Sequence, residues 1–277
     1  MAQNQLDSTV DDEMLGLLYP SIRIGPLRVD SIGSEEFTGQ LMDVMRRGLG
    51  THHVVTANAQ FYNLAEQRSD FRECLDRAEF VCADGISLVF ACKCFGEKNA
   101  TRVAGVDLVQ QLCAKIAQSG LTAYFLGGNE GSARMAAEVL QARYPGLEVV
   151  RAACPPYGFE KDPEILRRTV EDIRLADPSV IFVALGAPRQ ELFIQEHIRP
   201  LGVPVAVGVG GSFEMIAGRV RRAPEWIRGL GLEWAYRWSQ EPARLTKRYL
   251  LGNTLFVVYL FRHLLKKRLF RAEQLGA

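Results

Sequence analysis

The stretch Val180-Ile181-Phe182-Val183-Ala184 runs directly into Leu185-Gly186-Ala187-Pro188-Arg189-Gln190-Glu191. The leading residues are uniformly apolar and too few for a helix, so they predict a strand covered on both faces. The Gly and Pro behind them predict a turn that opens a helix. The same signature recurs on either side, at Ile22–Val29, His53–Thr56, Phe80–Cys82, Thr122–Leu126, Leu147–Arg151 and Val203–Val207, with amphipathic helical stretches between most of the runs. This β-α alternation predicts an α/β fold, a largely parallel, Rossmann-like sheet flanked by helices. Ser34 before Glu35-Glu36-Phe37, Gly120 after Gln110–Ser119, and Asp162-Pro163 ahead of Glu164–Leu175 mark helix ends.

The chain has 277 residues, 48% of them hydrophobic and 23% charged, which is ordinary for a soluble globular protein with a sizeable core. Residues 1–20 are polar and acidic without a sustained period and read as a flexible N-terminal segment. Residues 21–218 carry the alternation and form the α/β domain. Near Arg219 the pattern breaks at Pro224, Trp226, Gly229 and Gly231, so residues 219–277 form a C-terminal appendage, expected to be basic, helical and amphipathic. Charge divides at the same place. Arg219–Ala277 contains ten Arg and three Lys against four Glu, a net of +9, which leaves −8 for the rest of a chain whose total is +1. An acidic body thus bears a basic tail, and the apolar residues interleaved with that tail point to lipid rather than nucleic acid. Tyr249–Leu265 reads YLLGNTLFVVYLFRHLL and meets Lys266-Lys267-Arg268. Its uninterrupted apolar part, Leu255–Phe261, is far short of the roughly 20 residues that span a bilayer. The expectation is an amphipathic helix at the membrane surface, the alternative a helix packed on the main domain. The cysteines lie in apolar or helical-looking stretches with only Cys92 and Cys94 closely spaced, which predicts buried thiols in a reducing cytoplasm and no zinc site. None of His52, His53, His197 and His263 is expected to be catalytic.

Ligands of open parallel sheets bind beyond the carboxyl ends of the strands. Five predicted strand ends here deliver small, hydrogen-bonding residues: Thr56 to Gln60, Ala83 to Gly85, Gly127 to Asn129, Leu185 to Glu191, and Gly208 to Glu214. Asp84 either caps the helix beginning near Ile86 or stands free as a general base for an attacking hydroxyl. Thr56 and Asn58 are ordinary cap and turn residues singly; together they can hydrogen-bond sugar hydroxyls or an acetamido group. Arg102 is either solvated or a fork for a diphosphate. Gln190 lies on a helix surface or orients a sugar or leaving group. Gly208-Val209-Gly210-Gly211-Ser212-Phe213 brings backbone N–H donors toward a pyrophosphate, whereas Gly127-Gly128-Asn129-Glu130-Gly131 lacks the G-x-G-x-x-G spacing of a dinucleotide turn. No Asp-x-Asp of the kind that holds a divalent metal on a sugar nucleotide occurs, so neither a metal nor another cofactor is expected, and arginines and backbone dipoles would meet leaving-group charge. Arg237, Arg244 and Arg248 recur at intervals of seven and four, either a solvated basic face or a clamp on a lipid diphosphate, with Pro242 interrupting any helix between them.

Taken in order, the motifs Thr56-x-Asn58-x-Gln60, Ala83-Asp84-Gly85, Arg102-Val103-x-Gly105, Leu126-Gly127-Gly128, Leu185-Gly186-x-Pro188-x-Gln190-Glu191, Val209-Gly210-Gly211-x-Phe213, Ala217-Gly218, Arg222-Ala223-Pro224, Leu232-Glu233-Trp234-x-x-Arg237, Glu241-Pro242-x-Arg244 and Arg248-Tyr249 cover about Ile22 to Tyr249. Each is short; their order is specific. It resembles the WecG/TagA/CpsF glycosyltransferases, glycosyltransferase family 26. The resemblance implies an inverting, metal-independent hexosyltransferase of bacterial surface or exopolysaccharide biosynthesis. Such an enzyme would move N-acetylmannosamine, its uronic acid or glucose from a UDP-sugar to a polyprenyl-diphosphate-linked sugar at the inner face of the cell membrane. By matching motif, Asp84 would be the base, and Thr56, Asn58, Arg102 and Gln190 would line the sugar pocket. Gly210, Gly211, Ser212 and Phe213 would hold UDP, and Arg237, Arg244 and Arg248 would bind the acceptor diphosphate. Glu214 stands where many relatives carry Asp. Two other classes share the α/β alternation or the basic tail: a nucleotide-binding oxidoreductase and a non-enzymatic membrane-docked scaffold. A homo-oligomer is compatible with all three.

Overall fold

The structure, a computed structural model, describes residues 19–48, 50–243, 246, 256–262 and 265. Eight strands, β1 (Ser21–Ile24), β2 (Leu27–Asp30), β3 (His52–Ala57), β4 (Phe80–Ala83), β5 (Thr122–Gly127), β6 (Glu148–Ala153), β7 (Val180–Ala184) and β8 (Val205–Gly208), form one sheet in the order β1-β2-β4-β3-β8-β7-β5-β6. Every neighbouring pair is parallel except β1 with β2. The run Ile22–Val29, expected as one strand, is a hairpin. Gly25 turns the chain at φ +59°, and a Cβ there would lie 2.8 Å from the Tyr62 ring, so the bend needs both the left-handed backbone and the missing side chain. The other predicted strands appear where the apolar runs lie.

Alternation along each strand divides the core between the two sheet faces. Val54, Phe80, Cys82, Phe125, Phe182, Val205 and Val207 point to one face, where α1 (Ser34–Arg47), α5 (Gly105–Ile116) and α6 (Ser132–Arg143) cover them. Their strand neighbours Val55, Val81 and Ala83 point to the other, under α2 (Ala59–Gln67), α3 (Ser69–Arg77) and α4 (Ile86–Phe95). Further along that same face, Tyr124, Leu126, Ile181, Val183 and Ala206 meet α7 (Pro163–Ala176) and α8 (Arg189–Phe193). Asp162 caps α7 as its sequence predicts, its carboxylate accepting from the N–H groups of Glu164 at 3.0 Å and Ile165 at 3.2 Å.

After α9 (Ser212–Ile216) the chain leaves the alternation for α10 (Glu225–Gly229) and α11 (Glu233–Gln240). Residues 256–262 are helical. Their Phe256 and Leu260 are buried in the core above α2, with the Phe256 ring 5.5 Å from that of Tyr62, while Val257, Val258 and Phe261 stay exposed. This part of the tail therefore packs on the main domain with one face and presents an apolar second face. Among the described residues no helix is long and apolar enough to cross a membrane. Residues 1–18, Arg244, Arg248 and Lys266 to Ala277 lie outside the described residues.

Candidate active site

Because β2 to β8 run parallel, their carboxyl ends share one edge of the sheet, and the five polar strand ends converge there. They line a cleft of about 1150 Å³ whose opposite wall comes from α10, α11 and residues 256–257. Thr56, Asn58, Asp84, Arg102, Gln190, Gly210, Gly211, Ser212 and Arg237 all border it.

Asp84 follows β4, and its N–H is fixed to the Ala57 carbonyl at the end of β3, 2.8 Å away. The cap alternative is not what the chain adopts: Gly85 is the N-cap of α4 and no side chain caps that helix. The Asp84 carboxylate is thus left to face the cleft, 30% exposed. Burial raises its proton affinity above the usual carboxylate range; Arg102 pulls it back, Glu233 pushes it further up, and Arg237 lowers it. Asn58 stands beside it, since a Cβ on Gly85 would come within 3.3 Å of the Asn58 Cβ. Asn58 is itself the N-cap of α2, accepting from the Gln60 N–H at 3.0 Å, which fixes its amide at the rim.

Several predicted ligand groups turn out to brace the rim. The Thr56 hydroxyl donates to the Gly208 carbonyl at 2.7 Å and the Ser212 hydroxyl to the Val209 carbonyl at 2.6 Å. Gln190 is buried, and its Oε1 accepts from the N–H groups of both Gly186 and Gly210 at 3.0 Å, tying the loops after β7 and β8 together. Its Nε2 donates to Glu191 Oε1 at 2.6 Å. Glu191 is fully buried, and burial pushes its carboxyl up to about 7 against the hydrogen bond from Gln190. The Gly210 N–H, expected for a pyrophosphate, is therefore occupied by Gln190, and the Ser212 N–H by the Val209 carbonyl at 3.2 Å. What Gly210 and Gly211 offer a ligand is close approach of bare backbone. Phe213 needs correcting as a nucleotide contact. Its side chain is fully buried, stacked on Phe125 at 5.1 Å, because α9 turns that position toward the core.

Charge converges on the cleft from both walls. Arg102 donates through Nε to the Asp84 carbonyl at 2.5 Å, and its Nη2 lies 2.8 Å from Glu233 Oε2. Arg237 borders the cleft and has a buried Nε with no hydrogen-bond partner among the described residues. Arg244 and Arg248, predicted to join it, are outside the described residues. Glu214 borders the cleft and accepts from the Asn129 N–H at 2.7 Å, so it holds the loop after β5. Glu191, Glu233 and Arg222 were not singled out from sequence, although Gln190-Glu191, Leu232-Glu233-Trp234 and Arg222-Ala223-Pro224 stand among the quoted motifs. Among the described residues no group of three or more His, Cys, Asp or Glu side chains is placed to hold a metal. The arrangement can take a proton from a hydroxyl at Asp84 while arginines accept negative charge on a second group.

A profile of the Glycosyl transferase WecG/TagA/CpsF family matches residues 22–270. The chain is 33% identical over 210 residues to an N-acetylglucosaminyldiphosphoundecaprenol N-acetyl-beta-D-mannosaminyltransferase of Bacillus spizizenii, covering 76% of this chain and 79% of that protein. It is 35% identical over 185 residues to a Staphylococcus aureus protein of the same name, covering 66% of this chain and 70% of that one.

Proposed function

Given that the chain belongs to the WecG/TagA/CpsF family of glycosyl transferases, we propose that it moves a sugar of the N-acetylmannosamine class from its UDP donor to a polyprenyl-diphosphate-linked sugar, with inversion and with Asp84 as general base. The observation that carries this reading is the Asp84 carboxylate, released from helix capping and facing the cleft between Asn58 and Arg102. The carboxylate takes the proton of the acceptor hydroxyl as that oxygen attacks the anomeric carbon. The bond to the UDP oxygen breaks and its electron pair leaves with UDP. Attack opposite the leaving group turns an α-linked donor into a β-linked product. Arg102 and Arg237 meet the charge that develops on the diphosphate, a role for which no metal is invoked.

An acceptor of this class is anchored in lipid, and the cleft margin suits such a surface. Ile86 and Trp234 line the cleft and are exposed, and Phe90 of α4, Trp226 of α10, and Leu230 and Leu232 of the α10–α11 connection are exposed on the same elements. With the positive charge of residues 219–277, these aromatic and aliphatic side chains support peripheral docking on an anionic membrane. Replacing Asp84 by Asn tests the mechanism. Transfer from UDP-N-acetylmannosamine to a short-chain polyprenyl-diphosphate N-acetylglucosamine should fall by about 10²-fold or more, with UDP still bound. Undiminished transfer by D84N would remove the base assignment. Tight binding of NAD in place of UDP would return the protein to the oxidoreductase class.

A further inference from the structure

The shortest ionic contact of Arg102 is not with the candidate base. Its Nη2 lies 2.8 Å from Glu233 Oε2 but 3.4 Å from Asp84 Oδ1, and its Nε is engaged by the Asp84 backbone carbonyl rather than the carboxylate. Glu233 reaches this position from the appendage, at the first turn of α11, and is itself buried. Its other oxygen is 3.4 Å from Arg222 Nε, and Arg222 grips Asp107 of α5 with both terminal nitrogens at 2.6 Å. Asp84, Arg102, Glu233, Arg222 and Asp107 thus alternate in sign across the seam between body and appendage.

We infer that Glu233 is a positioning residue for the transfer step: it holds the Arg102 guanidinium away from the Asp84 carboxylate, so that this carboxylate remains available to accept the proton of the attacking hydroxyl. The inference rests on the reading of Asp84 as base. A guanidinium beside a lone carboxylate closes into a two-pronged pair, and a carboxylate so paired is a poor proton acceptor. Glu233 competes for the same fork and takes its nearer contact. The charged and titratable groups around Asp84 are Arg102, Glu233, Arg237 and the buried Cys82 thiol. Burial is the first cause of Asp84's raised proton affinity, with Glu233 adding to it and the two arginines opposing. Removing Glu233 therefore acts in one direction by two routes: a negative neighbour goes and Arg102 is released onto Asp84.

The test uses the full chain with UDP-N-acetylmannosamine and a short-chain polyprenyl-diphosphate N-acetylglucosamine. Glu233→Gln should lower kcat by about tenfold or more, leave the Kd for UDP within about twofold, and move the acidic limb of kcat/KM down by about half to one pH unit. In the D84N background the same substitution should cost nothing further, because the base it serves is gone. Arg222→Gln removes a positive charge from the same array and should move the limb the opposite way. An unmoved limb in E233Q, or an equal loss in the D84N background, would show that Glu233 only fastens the appendage and would overturn the inference. Should E233Q fail to fold, R222Q decides: a limb that stays put or moves down overturns it. Failure of the underlying reading is separate, since it appears as normal transfer by D84N alone.

Discussion

Glu191 makes the stability of the rim depend on pH, and Glu191→Gln isolates that dependence. The side chain is fully buried, Oε1 accepts from Gln190, and Oε2 has no partner among the described residues. Burial pushes its carboxyl from an ordinary 4.5 up to about 7, with the Gln190 hydrogen bond opposing. The folded protein therefore keeps a proton that the unfolded chain releases. Stability from this group is fully present below about pH 4.5 and is lost as pH rises to about 7, after which nothing more changes. Between pH 5 and pH 8 the loss amounts to about 3 kcal/mol, at roughly 1.4 kcal/mol for each pH unit crossed. Gln mimics the protonated acid in size and cannot ionise. The unfolding free energy of E191Q relative to the parent should therefore rise by about 3 kcal/mol across that window, equivalent to about 6 °C in Tm. Urea melts followed by far-UV circular dichroism suit the measurement. All three tryptophans, Trp226, Trp234 and Trp238, lie in the appendage, so their fluorescence would follow the wrong part of the chain. A difference that stays constant within about 0.5 kcal/mol from pH 5 to pH 8 would mean that Glu191 titrates normally and that the ground beneath Gln190 is wet.

Two further substitutions separate the bracing residues from the ligand-facing ones. Gly208→Ala places a Cβ 2.7 Å from Gln190 Nε2 and 3.0 Å from Glu191 Oε1, so it should destabilise the fold by about 1–3 kcal/mol in urea melts and weaken UDP binding by calorimetry. An unchanged protein would contradict the close packing of that amide. Phe213→Ala should cost about 3–5 kcal/mol of stability while the folded protein binds UDP within about twofold of normal. Lost UDP affinity at full stability would put the ring in the nucleotide site instead.

The sheet was legible because most of its buried strands carry a short apolar run, as Val180–Ala184 does, and because such runs separated by helical stretches are what a parallel sheet covered on both faces requires. Local chemistry was legible too where it closes within a few residues, as at Asp162-Pro163. The first hairpin was missed although Gly25-Pro26 is a turn signal, because Ile22, Ile24, Leu27 and Val29 spread apolar residues over a length that one strand can hold, and the sequence does not state the sign of φ. Asp84 was readable as a candidate but not separable from a cap, since the two differ only in which residue the α4 backbone selects as its first. Gln190 was placed either on a helix surface or as an amide orienting a ligand; its bracing of the rim depends on two loops from different strands meeting at one amide, which no local pattern states. Glu233 was invisible for the same reason: its partners Arg102 and Arg222 lie outside its own helix, as does Asp107, which Arg222 grips in turn, and no local periodicity encodes such a meeting.

The two sides of the cleft are fastened by different forces. Along the strand ends, buried neutral hydrogen bonds from Thr56, Ser212 and Gln190 lock the loops to one another, and dissolved ions cannot reach them. Across the seam, α11 is moored through the half-buried couples Arg222 with Asp107 and Arg102 with Glu233. Added salt consequently acts on one jaw alone: at a given pH the strand-end rim keeps its form whatever the ionic strength, while the grip of the opposing jaw loosens as salt is added.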